Sequence, residues 1–125
     1  MDDRLRLPPE PGSAGAARRF VTDALRARDI DLELVSLLVS ELVSNAILHA
    51  HTPLEVAVRI RGTHIRITVA DESPVIPAMK QYAQDSVTGR GLTMVDSAAE
   101  RWGIDEMADG KAVWFEIPLD EAIAQ

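Results

Sequence analysis

Glu41, Asn45 and His49 stand four residues apart in ELVSNAILHA, residues 41–50, a run of helix formers whose 3.6-residue period stacks the three along one face. A carboxylate can serve as general base, a carboxamide oxygen is a neutral ligand for a hard cation, and an imidazole can meet a phosphate. Together they are the equipment of a magnesium–nucleotide site. The plainer reading of such a stripe is the solvated side of an amphipathic helix. For His49 the plainer role is the favoured one, because an imidazole near a helix C-terminus gains from the dipole when protonated.

Two further stretches carry chemistry. TGRGLTMV, residues 88–95, sets Gly89 and Gly91 at the expected start of a helix, where free N–H groups and the positive end of the dipole can receive a phosphate. Arg90 between them can touch a terminal phosphate, or simply be solvated. Asp71 follows the alternating run Ile65–Val69, and a carboxylate at such a strand exit can accept a hydrogen bond from an exocyclic amino group such as that of adenine. An isolated Asp there more often bonds the next backbone N–H groups, and Pro74 and Pro77 read as rigid loop punctuation.

These residues need elements to position them. Arg4–Leu7 reads as a short edge strand ended by Pro8, Pro9 and Pro11, with Ser13 as the cap of a first helix that runs to about Asp29. A second helix begins near Asp31, carries Leu34, Val35, Leu38, Val39, Leu42, Val43, Ala46 and Ile47, and stops at His51, Thr52 and Pro53. The period then changes to alternation in Leu54–Ile60 and Ile65–Val69, a β-hairpin turning at Arg61, Gly62 and Thr63. Residues 72–90 read as a lid, Gly91–Glu100 as a third helix, and Arg101–Glu106 with Lys111–Leu119 as a second hairpin. Trp102, Trp114, Phe115 and Phe20 are expected in the core or on a sheet face, and Asp120–Gln125 as a frayed end. The sum is an α+β two-layer sandwich: a mixed, mainly antiparallel sheet covered on one face by helices.

The 125 residues, 46% of them hydrophobic, suit one domain spanning 1–125. A net charge of −7 and a pI near 4.8 argue against a general nucleic-acid or anionic-membrane binder, so an anionic ligand needs a local donor site. The chain lacks Cys, which removes disulfides, thiolate metal sites and cysteine nucleophiles; its N-terminus lacks the apolar core of a secretion signal. A cytoplasmic location is the expectation.

In this order, ELVSNAILHA, VADESPVIP, TGRGLTMV and the strand GKAVWFEIP resemble the N, G1 and G2 boxes and last strand of the GHKL ATP-binding fold. That fold is shared by gyrase B, histidine kinases and anti-sigma-factor serine kinases, and LPPEPGSAGAARRFV resembles the stand-alone anti-sigma kinases of actinobacteria. The resemblance implies ATP and Mg2+ as cofactors, with Glu41 as catalytic base and Asn45 as magnesium ligand. It implies a nucleotide-binding set of Asn45, His49, Asp71, Pro74, Thr88, Gly89, Arg90, Gly91 and Leu92, in which Asp71 holds the adenine amino group and Gly89 and Gly91 hinge the lid. It implies a serine/threonine kinase acting as a partner-switching regulator. The partners would be a sigma factor and a STAS-domain anti-anti-sigma protein that accepts the phosphate, with self-association into a homodimer also open. The usual glycines after the G1 aspartate are absent, since the chain reads Asp71, Glu72, Ser73, Pro74 with no Gly before Gly89. That departure keeps a second reading open, a catalytically silent module that sequesters a protein partner.

Overall fold

The computed structural model describes residues 2–73 and 91–119, the side chains of 91–93 excepted. In chain order its elements are β1 (Asp2–Leu7), α1 (Gly12–Leu25), α2 (Leu32–Ala50), β2 (Leu54–Arg61), β3 (His64–Asp71), α3 (Gly91–Ala98), β4 (Arg101–Met107) and β5 (Gly110–Pro118). They form a five-stranded sheet of order β1-β2-β3-β5-β4, antiparallel at every described pairing. The helices lie on one face, as the two-layer expectation requires.

Strand alternation and register together explain the layering. Ile65, Ile67 and Val69 of β3 pair with Ile60, Val58 and Val56 on one side and with Ile117, Phe115 and Val113 on the other. Apolar rows therefore line up across three strands and face the helices. Against them pack Ala17, Val21 and Leu25 of α1 and Val35, Leu38, Val39, Leu42, Val43 and Ala46 of α2, all in one buried cluster. Each fully buried branched side chain there contributes on the order of 1.5–3 kcal/mol.

Local signals set the helix ends, with three corrections to the expected bounds. Asp31 caps α2, its carboxylate accepting from the Leu34 N–H at 3.1 Å, and His51 ends the helix in the left-handed region at φ 56°. Ser13 is not a cap. α1 starts at Gly12 behind Pro11, so Ser13 falls inside the helix, buried, and its hydroxyl donates back to the Pro8 carbonyl. α1 also stops at Leu25, short of Asp29, because turn bonds from Arg28 N to Leu25 O and from Ile30 N to Arg28 O redirect the chain toward the Asp31 cap. At the other side of the molecule α3 ends at Ala98, where the Glu100 N–H is taken by the Glu116 carbonyl of the sheet.

Among the described residues α2 is the one helix long and apolar enough, by length and composition, to cross a membrane. Its apolar side is spent on the sheet and on α1, which is what a core helix of this layered fold needs.

Candidate functional site

Burial decides between the two readings of the α2 stripe. Glu41 is 3% exposed and Asn45 is 1% exposed, so neither is a solvated position on an amphipathic face. Among the described residues the Asn45 Oδ1 and Nδ2 atoms have no hydrogen-bond partner. An amide buried in this way costs stability, and natural cores rarely tolerate it without a use. His49 lies half-buried in the last turn of α2.

The connection after α2 brings this helix end to the Asp71 corner. His51, Thr52 and Pro53 lead into Leu54, and Leu54 is the register partner of Asp71. Thr52 Oγ1 then accepts the Glu72 N–H at 2.9 Å and ties the two segments together. Asn45 is five residues from the end of α2, roughly 8 Å along the axis. Asn45 thus lies toward the end of α2 that meets the Asp71 corner, Glu41 lies one turn further back at the middle of the helix, and α3 packs against α2.

Asp71 does more than turn the chain. Its Oδ1 accepts the Ser73 N–H at 2.9 Å, the local bond expected of an Asp at a strand exit. It is also held by Lys111, whose Nζ lies 3.1 Å from Oδ1 and 3.0 Å from Oδ2, with side-chain exposures of 1% and 2% for the two residues. A carboxylate has about four lone-pair sites, so these contacts leave acceptor capacity for a ligand amino group. Sequence reading missed Lys111. The available signal was its phase, because Lys111 shares the inward side of β5 with Val113, Phe115 and Ile117. Its partner could be found only from the β3–β5 register, which sets Lys111 opposite Asp71.

Gly110 makes the corner possible. With φ at 156°, an added Cβ would stand 1.9 Å from the Asp71 carbonyl oxygen, so only glycine lets the two strands close beside the Lys111–Asp71 pair. Glu72 is exposed and pairs with Arg6 at 2.7 Å. Pro74, Thr88, Gly89 and Arg90, with the rest of the expected lid, lie outside the described residues, as does the Leu92 side chain.

The donor set suits a nucleotide carrying a hard cation. Among the described residues no cluster of three or more His, Cys, Asp or Glu is placed to hold a metal. A magnesium ion that keeps waters and phosphate oxygens needs only one or two protein ligands, and the buried Asn45 carboxamide offers one.

Residues 7–117 match the family model described as the histidine kinase-like ATPase domain. The chain belongs to this family. An uncharacterized protein of Streptomyces coelicolor is 34% identical over 64 residues, 46% of this chain, and the match spans 61% of that relative's length. Among solved structures, the RsbU and RsbW domains of Rv1364c from Mycobacterium tuberculosis superpose with a TM-score of 0.72 at 19% identity, over 95% of this chain and 32% of that one. The histidine kinase domain of the blue-light activated kinase EL346 from Erythrobacter litoralis gives 0.57 at 20% identity, over 91% of this chain and 62% of that one. At those identities the two structures establish the fold of the ATPase domain, a GHKL-type α+β sandwich.

Proposed function

We propose that this histidine kinase-like ATPase domain binds ATP with Mg2+ between α2 and the Asp71 corner and transfers the terminal phosphoryl group to a serine or threonine of a protein partner. The observation that carries the reading is the burial of Glu41 and Asn45 one turn apart on α2, with the Asn45 carboxamide unsatisfied among the described residues. Asn45 Oδ1 is the proposed magnesium ligand, and Asp71, held by Lys111, is the proposed acceptor for the adenine amino group. Magnesium, when bound, neutralises charge on the transferring phosphoryl group. Glu41 takes the proton of the attacking hydroxyl as its oxygen forms a bond to the terminal phosphorus; the bond from phosphorus to the bridging oxygen breaks and ADP leaves. His49, Pro74, Thr88, Gly89, Arg90, Gly91 and Leu92 complete the proposed nucleotide-binding set.

The chain is further read as a single domain that works in the cytoplasm as a partner-switching regulator, alternating between a sigma factor and a STAS-type anti-anti-sigma protein. The likeness of its fold to a structure that contains an RsbW domain supports this choice over a sensor kinase. One observation favours the alternative, a silent sequestering module: the ammonium of Lys111 already sits on both Asp71 oxygens.

Labelled ATP incubated with the protein and purified STAS proteins separates the two readings. Transfer is expected, and Glu41→Gln should retain ATP binding while single-turnover transfer falls by about 100- to 10,000-fold. Equal rates for wild type and Glu41→Gln would remove Glu41 from catalysis. ATP binding without transfer to any STAS protein would favour the sequestering module.

A further inference from the structure

The sheet face turned away from the helices is strongly basic at one end, in a chain of net charge −7. Strand phase puts Arg59 and Arg61 of β2, His64 and Arg66 of β3 and Arg101 of β4 on this face, and with Glu116 of β5 they line a cavity of about 280 Å³. Four guanidiniums thus share one cavity with the Glu116 carboxylate, and His64 pairs with Glu100 at 3.0 Å beside it. Glu116 is 7% exposed and is clamped by Arg66 Nε at 2.8 Å and by Arg101 Nε at 2.9 Å. The floor is built to hold this arrangement: Arg66 stacks 3.8 Å above the Trp114 ring, and Gly103 leaves room for that ring, since a Cβ there would meet it at 2.8 Å.

We infer that this cavity is a docking site for a carboxylate-rich segment of a partner protein. The chemistry is already displayed by Glu116, a carboxylate that two arginine forks hold in place. Among the described residues Arg59 and Arg61 have no comparable clamp: Arg59 Nε is 3.7 Å from Asp2, and Arg61 is exposed. Crowding like charges costs stability unless an anion covers them. An acidic protein segment is favoured over a nucleic acid because the clamp already receives a carboxylate, and past the cavity the face alternates in sign, Arg4 and Arg6 standing beside Asp2 and Glu55, with no continuous basic track for a phosphate backbone. The site is separate from the proposed nucleotide site. His64 and Asp71 are the two ends of β3, about 23 Å apart at strand rise, and Arg66 and Asp71 point to opposite faces.

The test titrates the isotope-labelled protein, at about 0.15 M salt, with octaglutamate, an oligothymidylate and phosphatidylserine vesicles, and follows backbone amide shifts. Octaglutamate is expected to shift amides around Arg59–Arg66, Arg101 and Glu116. The double substitution Arg59→Ser/Arg61→Ser should weaken its binding roughly tenfold, while the charge-matched Arg18→Ser/Arg26→Ser, on α1 and at its C-cap, leaves it intact. Arg61→Ser alone serves if the double variant does not fold. Nucleotide affinity should be unchanged in every variant, which keeps this test independent of the ATP-binding reading. Absence of shifts at the cavity, equal weakening by the α1 pair, or tighter binding there of the oligothymidylate or vesicles overturns the inference.

Discussion

Asp71 and Lys111 form a buried ion pair whose two charges have left water together, so neither can be removed cheaply. Lys111→Met should cost about 3–5 kcal/mol in urea unfolding, and adding Asp71→Asn to that variant should recover most of it. A loss under about 1 kcal/mol would show that Asp71 does not depend on the ammonium. Glu116 behaves differently. Burial raises the pKa of its carboxyl, but hydrogen bonds and charge from Arg66 and Arg101 outweigh that and hold it below the ordinary carboxylate value. A lowered folded pKa means stability that is present above the unfolded value, about 4.5, and lost as pH falls through the folded one. Glu116→Gln should therefore be less stable than wild type by about 1–2 kcal/mol at neutral pH, with the gap closing under acid; a gap independent of pH would mean that packing, not charge, sets the difference.

Elements were more legible than their ends. Periodicity located both hairpins and the three helices among the described residues because apolar spacing follows directly from which face is buried, as in Ile65, Ile67 and Val69. Helix ends were less legible where competing bonds decide: Ser13 had the composition of a cap, yet the cap position falls two residues earlier at Pro11 and leaves the hydroxyl to bond Pro8. The candidate site divides the same way. Glu41, Asn45 and Asp71 stood out by type and spacing, whereas Lys111 depended on a pairing between β3 and β5 that crosses residues 72–109 of the chain. Gly110 tests that crossing, since its missing Cβ is what permits the approach to the Asp71 carbonyl. Gly110→Ala should lower stability by about 2–4 kcal/mol, read from thermal unfolding, and a change within about 0.5 kcal/mol would mean that the strands close less tightly there.

At the scale of the whole molecule, one acidic chain separates two kinds of surface. The interior-facing end joins α2 to the Asp71 corner and holds the buried polar residues of the proposed nucleotide site; the open sheet face at the opposite end gathers arginines. The central claim concerns the first of these, and calorimetric titration of ATP with and without magnesium, on wild type and on folded Asn45→Ala, tests it most directly. The account predicts that wild type binds ATP and that magnesium strengthens the binding. It predicts that Asn45→Ala keeps its fold and loses most of the magnesium response, because its one buried carboxamide ligand is gone. A wild type that does not bind ATP, or an Asn45→Ala protein with the full magnesium response, would contradict it.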